Sequence, residues 1–273
     1  MSTEILCSTG TMVGRANGYN HRIVTENHRD IAADGFELMM LSAYYERLSD
    51  VIRDFTRADV KLRTIHFEKN ITALLGLGTE EDRREGLRIF RINAETGRAV
   101  GAEKAVFHLW DGRFSPAQTE SVLTLLASLY EICEECDLEL MIENVPARVP
   151  SPYENVAEAA RRYPSARFTF DTRHAHVMGQ CETFLESPLW QRIGHIHVSD
   201  YNGETVPNMW GVTRPILHPG EGIIDFDAFF ASMPPYHGGT VTLESPVMRE
   251  DGSVDLPKLN ASLVYLGSRF DKM

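Results

Sequence analysis

Four residues in the second half of the chain have types and a spacing suited to metal chemistry: Glu143, Asp171, His197 and Glu244. Each lies at or near the end of a short apolar run. Leu-Glu-Leu-Met-Ile leads into Glu143-Asn144, and Arg-Phe-Thr-Phe into Asp171. His-Ile-His-Val-Ser-Asp carries His197 and Asp200, and Val-Thr-Leu leads into Glu244. Three carboxylates and an imidazole brought to one place cannot sit bare, because like charges at close range repel or force protonation. One divalent cation resolves the conflict, and a mixed oxygen and nitrogen donor set suits Mn, Mg, Co, Zn or Fe.

Something must bring these four together, and the pattern of the whole chain supplies it. Short apolar runs predict strands at Glu4–Ser8, Phe36–Leu41, Lys61–Phe67, Lys104–Trp110, Leu138–Glu143, Arg167–Asp171, Gly194–Ser199 and Thr240–Glu244. Amphipathic stretches between them predict helices over Tyr44–Arg57, Thr79–Arg98, Pro116–Cys136 and Tyr153–Tyr163, with Leu256–Phe270 closing the chain. Thr79 is placed as an N-cap and Pro116 in a first turn. Strands alternating with helices imply parallel pairing, and eight such units imply a closed α/β barrel, a (β/α)8 TIM barrel, as one domain over residues 1–273. In such a barrel the C-terminal strand ends converge on one face, where active sites are built. The stretch Gly203–Gly222 has no clear element and reads as a long loop over that mouth.

Other residues carry weaker signals. His66 ends the third strand and His108 lies near the end of the fourth, so both face the mouth and either touch substrate or support residues that do. His195 shares its side of the strand with His197 but lies deeper, as a packed, hydrogen-bonded core residue. His176 and His237 read as structural or exposed. Phe67, Trp110 and Trp210 could line a pocket, although aromatics at such places usually pack. Arg173 and Arg214 are candidates for an anionic substrate group, weighed against ordinary solvated or paired arginines. Pro219-Gly-Glu-Gly222 is a turn that could cradle a phosphate, a weak motif alone. Cys133 and Cys136 form a C-E-E-C run late in a helix; acidic neighbours raise thiol pKa values, so the pair reads as structural rather than redox-active or zinc-binding.

The bulk numbers set limits. The chain has 273 residues, 43% of them apolar and 24% charged, enough for a large buried core. A net charge of −12 repels phosphate backbones, so nucleic acid is not expected as a partner. No window approaches the roughly 18 apolar residues of a membrane span. Met1–Gly10 lacks a signal-peptide pattern, and four scattered cysteines fit a reducing compartment, so a cytoplasmic location is expected. The oligomeric state is left open, a homo-oligomer included.

The motifs Glu143-Asn-Val-Pro, Phe-Asp171-Thr-Arg-His174, His195-Ile-His197-Val-Ser-Asp200, His218-Pro-Gly-Glu-Gly and Leu-Glu244-Ser resemble the xylose-isomerase-like barrel superfamily. That group holds sugar and sugar-phosphate isomerases and epimerases, inosose dehydratases and endonuclease IV. The resemblance spans roughly residues 60–250 and is most specific from Glu143 to Glu244. It implies that Glu143, Asp171, His197 and Glu244 hold one metal, as in the epimerase branch, and that His174 contacts substrate. It implies for the places of His66 and His108 that the endonuclease branch has extra metal ligands there. The sequence departs from the epimerases at Val149, where they carry a second Glu, and at Gly203, where they carry an Arg. It departs from the nuclease branch at Arg214 and Ile216, where that branch has an Asp and a His before its Gly-x-Gly loop.

The resulting expectation is a metal-dependent isomerase or epimerase of a small sugar or polyhydroxy carbonyl compound, working through a cis-enediolate. Glu143 and Glu244 are the acid/base pair as well as ligands, and His174, His66, His108 and Arg173 meet the substrate. The alternatives are a dehydratase or other lyase on the same barrel, an endonuclease IV-like nuclease, and a metal-binding barrel without turnover.

Overall fold

A computed structural model describes residues 3–204, 206–208, 211–213 and 215–270. Eight strands alternate with helices: β1 Glu4–Ser8, β2 Gly35–Met39, β3 Leu62–His66, β4 Lys104–Phe107, β5 Glu139–Glu143, β6 Arg167–Asp171 and β7 Ile193–Val198, and then, after a small hairpin of β8 Val206–Asn208 and β9 Gly211–Thr213, β10 Thr240–Leu243. The eight larger strands close in the order β1-β10-β7-β6-β5-β4-β3-β2. Every pairing in the ring is parallel. This is the expected (β/α)8 barrel.

Alternation along each strand explains both faces of the sheet. Residues such as Leu38, Ile65, Ala105, Leu140, Ile142, Phe168, Phe170, Ile196 and Val241 belong to the continuous apolar core that the helices cover. The alternate positions face the barrel interior, and many of them are polar: Glu37, Thr64, Thr169, His195 and Thr242 are all fully buried. At the N-terminal end the Lys104 ammonium closes the barrel, donating to the Gly194 carbonyl at 2.8 Å and to Thr240 Oγ1 at 2.9 Å.

The helices begin where their caps dictate. Thr79 accepts from the Asp82 N–H and Asp82 returns the bond, and Ser115 and Ser151 make the same reciprocal arrangement ahead of Pro116 and Pro152. The helix expected over Pro116–Cys136 is two helices, Pro116–Leu123 and Leu126–Glu134. Thr124 Oγ1 donates to the Ser121 carbonyl at 2.6 Å, a local bond that competes with the helical ladder at the break. The fourth strand ends at Phe107 rather than Trp110. Just past its end the His108 carbonyl accepts from the Thr72 hydroxyl rather than from a neighbouring strand.

The stretch expected to be a featureless loop holds the antiparallel pair β8–β9. Three-residue strands are too short to leave a readable alternation. Trp210 and Arg214 lie outside the described residues. Trp110 and Phe67 are buried packing residues, the former donating its indole N–H to the Val145 carbonyl at 2.9 Å. Cys133 and Cys136 are free and buried, and burial pushes both thiols up. Among the described residues no helix is long and apolar enough to cross a membrane.

Candidate metal centre at the barrel mouth

The four strand-end residues meet. Glu143, Asp171, His197 and Glu244 each offer one ligand atom, and these atoms lie within 4.8 Å of one another. The register explains it: Asp171 pairs with His197 across β6–β7, and Thr242, two residues before Glu244, pairs with His197 across β10–β7. Asn144 holds the corner between β5 and β6, accepting from the Asp171 N–H at 2.7 Å. Asp171 also caps the short helix that follows, accepting from the His174 N–H at 2.5 Å.

Lone pairs and protons decide what this cluster can bind. His197 Nε2 lies 3.2 Å from the carboxylate of Glu37, an acceptor only, so that nitrogen carries the proton. Nδ1 faces Glu143 Oε1 at 3.2 Å and Glu244 Oε1 at 3.6 Å, a position from which the neutral ring could ligate an ion and the protonated ring hydrogen-bonds Glu143 instead. His66 Nδ1 donates to the Phe67 carbonyl at 2.8 Å, and its Nε2 lies 3.4 Å from Glu143 Oε2. His108 Nε2 is 2.7 Å from the same oxygen, yet neither that nitrogen nor Glu143 Oε2 makes a hydrogen bond of proper geometry. Asp171 Oδ2 and His174 Nδ1 are likewise buried without a partner. Buried carboxylate oxygens and ring nitrogens without partners are what a cation would satisfy, and the donor set fits a divalent ion.

The titrations carry the same tension. Burial opposes ionisation of Glu143, but the rings of His108 and His197 hold its carboxyl well below the usual range. Burial pushes the Asp171 carboxyl up; Arg173 works against the rise and Glu143 adds to it. Burial disfavours a charged His197, yet Glu244, Glu37 and Glu143 keep its pKa well above the ordinary value. His174 is pushed down to about 3 by burial and by Arg173, and His108 to about 4, chiefly by burial. Both rings are neutral near pH 7.

Above the cluster is a cavity of about 370 Å³, lined among others by Glu143, Glu244, His174, Arg173, Lys69 and Met39. Arg173 is anchored by Nε to Ser199 Oγ at 3.2 Å and rests against His174 Nε2 at 3.1 Å. The cavity thus collects Glu143, Glu244, His174 and Arg173 of the expected site, whereas His66 and His108 stand behind Glu143. Ile216 also lines it.

Two readings change. The glycine turn at Pro219–Gly222 offers no free phosphate cradle, because its N–H groups are taken. Asp200 Oδ2 accepts from Gly220 at 3.1 Å and Gly222 at 2.9 Å, and Oδ1 from Ile224 at 3.1 Å. Asp200 is therefore a loop clasp despite its place at a strand end. Glu37 is a buried charge that sequence reasoning passed over. Its signal was available, a carboxylate inside the apolar run Phe-Glu-Leu-Met-Met, but it stands near the start of the predicted strand, away from the mouth.

The chain belongs to the xylose isomerase-like TIM barrel family, which matches it over residues 20–262. Solved structures of similar fold include the IolI protein with a bound zinc atom, at 16% identity, 98% coverage of both chains and a TM-score of 0.73. An L-ribulose 3-epimerase matches at 15% identity and a TM-score of 0.71, over 99% of this chain and 95% of that one. A Thermus thermophilus protein soaked with zinc chloride matches at 17% identity and a TM-score of 0.68, over 98% of each chain. No curated protein matches the chain in sequence.

Proposed function

We propose that this barrel is a divalent-metal-dependent isomerase or epimerase of a small sugar or related polyhydroxy carbonyl compound. The observation that carries the reading is the group Glu143, Asp171, His197 and Glu244, with unpartnered buried oxygens on Glu143 and Asp171, which meets a sugar-sized cavity through Glu143 and Glu244. Neighbouring folds whose names state zinc or sugar epimerisation support it. Bound by those four residues, a divalent ion would supply Lewis acidity, lowering the pKa of the carbon-bound proton beside a carbonyl.

The protein's own groups supply the rest. Glu143 and Glu244 come from strands separated in the ring by β6 and β7, so their carboxylates approach a bound substrate from two sides. One removes the proton to give a cis-enediolate, and the other returns a proton to the same or the neighbouring carbon. His174, neutral and 3.6 Å from Glu143 Oε1, orients a substrate oxygen, and Arg173 and Lys69 hold the outer end of the molecule. The test is wash-in of deuterium from D2O across a panel of ketoses, inososes and hydroxypyruvate with Mn or Mg added. Exchange of the α-proton with product formation supports the reading. Loss of water from the substrate would make the enzyme a dehydratase on the same enolate chemistry, and absence of exchange on every compound with metal bound would refute it.

A second reading rests on one observation: His66, His108 and Glu143 also bring ligand atoms within 4.8 Å of one another. A second ion there would share Glu143 with the first, an arrangement used for phosphoester hydrolysis. The net charge of −12 works against a nucleic-acid substrate. Two equivalents of metal and scission of abasic duplex DNA would favour the nuclease; one equivalent and intact DNA would exclude it.

A further inference from the structure

Beneath the four mouth residues the barrel interior holds a buried carboxylate with no part in the chemistry above. Glu37 is fully buried on β2. Its Oε2 receives the Thr64 hydroxyl at 2.9 Å and His197 Nε2 at 3.2 Å, with His195 Nε2 also 3.2 Å away, while its Oε1 is buried without a partner. Burying a carboxylate is costly unless hydrogen bonds and charge repay it, so one so deeply placed must be specified by its partners.

The trio Glu37, His195 and His197 could itself be taken for an ion site, since its ligand atoms also cluster within 4.8 Å. Its nitrogens are already engaged. His195 Nδ1 pairs with Thr240 Oγ1 at 2.8 Å, and its Nε2 also meets Thr242 Oγ1 at 3.1 Å. Glu37 is not among the residues lining the mouth cavity. The trio is a hydrogen-bond network whose one outlet toward the mouth is the His197 ring.

We propose that Glu37 is a positioning residue, which accepts the Nε2 proton of His197, fixes that tautomer and aims the Nδ1 lone pair at the ion site formed with Glu143, Asp171 and Glu244. The inference rests on the metal reading above. The physical reason is general: an imidazole ligand has two nitrogens, and the partner of the distal one decides which tautomer exists, how the ring is turned and how basic the ligating nitrogen is. The Thr64 hydroxyl donates to the same oxygen and so holds the carboxylate independently of the His197 ring.

The test uses cobalt(II) as the probe, with affinity and visible spectrum read in a chelator-buffered titration. Glu37→Gln keeps the shape and one acceptor oxygen but loses the charge. It is expected to weaken cobalt binding by about 10- to 100-fold, the usual worth of such a partner, and to shift the visible band, while circular dichroism stays that of the wild type. In a His197→Ala background the same substitution should change affinity no further. Should the variant not fold, histidine nitrogen NMR of the zinc-loaded wild type decides instead, with His197 expected as the Nε2–H form and its proton in slow exchange. Wild-type affinity and spectrum in Glu37→Gln, an undiminished effect without His197, or the Nδ1–H form would each overturn the proposal. These outcomes are separate from failure of the metal reading, in which the wild type binds no cobalt and both ideas fall together.

Discussion

Asp171 and His197 are direct partners across the β6–β7 pairing, and both turn their side chains into the mouth where Glu143 and Glu244 arrive from either side. A pair fixed by strand register cannot be replaced by a neighbour. Asp171→Asn and His197→Ala should therefore purify without the ion and bind added metal only weakly, whereas the wild type, purified without chelator, should carry it. Elemental analysis checks the content. The melting temperature should rise with added metal, because a ligand held only by the folded state stabilises it by about 2.7 kcal/mol at a hundredfold excess over Kd. Wild-type protein without metal, and without any thermal response to it, would end the metal reading.

Glu143→Gln and Glu244→Gln keep size and one ligating oxygen but cannot relay a proton. Each should retain fold and part of its metal affinity, and turnover should drop by about 10²–10⁴-fold. The double variant should be little worse than either single one, because groups that act as a unit are not additive. His174→Ala should change KM and kcat together and leave solvent exchange of the substrate α-proton detectable. Wild-type exchange in both Gln variants would reduce the carboxylates to ligands only.

The buried rings set a pH optimum for the metal-free protein. His108, His174 and His195 are held down, to about 4, about 3 and about 4, from an ordinary value of 6.5, mainly by burial. The unfolded chain binds those three protons first, so stability is lost as pH falls below about 6.5. His197 runs the other way, its pKa raised above the ordinary value; its contribution is complete below about 6.5 and is lost as pH rises through the folded value. Chemical unfolding of chelator-treated protein across this range should show greatest stability near pH 6.5. Metal, which requires a neutral His197, should abolish the alkaline decline. A metal-free stability that climbs steadily through pH 8 would contradict this.

Asp200 accepts four backbone N–H groups, from Tyr201, Gly220, Gly222 and Ile224. Asp200→Ala leaves the Ile224 N–H buried and those of Tyr201 and Gly222 half-buried without this partner, and should cost about 3 kcal/mol or more, read by urea unfolding. Gly222→Ala should destabilise as well, since a Cβ there would collide with the Asp200 carboxylate and the Tyr201 carbonyl. An Asp200→Ala variant of wild-type stability would show that water satisfies the loop.

Much of this architecture is legible in the residues. Glu143 and Asp171 close their strands, Glu244 directly follows β10, and His197 is the penultimate residue of β7; parallel closure turns all four positions into one locus. His66 and His108 are readable as mouth residues for the same reason, although their shared approach to Glu143 depends on side-chain rotation that no pattern encodes. Glu37 escapes because its meaning lies in partners up to 160 positions away, reached only when β2 and β7 face each other across the barrel. Asp200 misleads because a carboxylate at a strand end looks alike whether it faces a cation or a turn of backbone N–H groups. The hairpin β8–β9 is held by pairing between segments too short to announce themselves.

The clasp at Asp200 has a consequence for how this barrel changes over generations. Asp200 and Leu217 exchange both backbone hydrogen bonds, at 2.9 and 2.8 Å, and Ser245 Oγ donates to the Leu217 carbonyl at 2.8 Å. The two ends of the excursion carrying β8 and β9 are thereby stapled together independently of what lies between. A change in length of the intervening segment should therefore cost the barrel little stability, because loop-closure entropy grows slowly with length. On the proposed reading, a change within the excursion could alter what the mouth admits without moving Glu143, Asp171, His197 or Glu244.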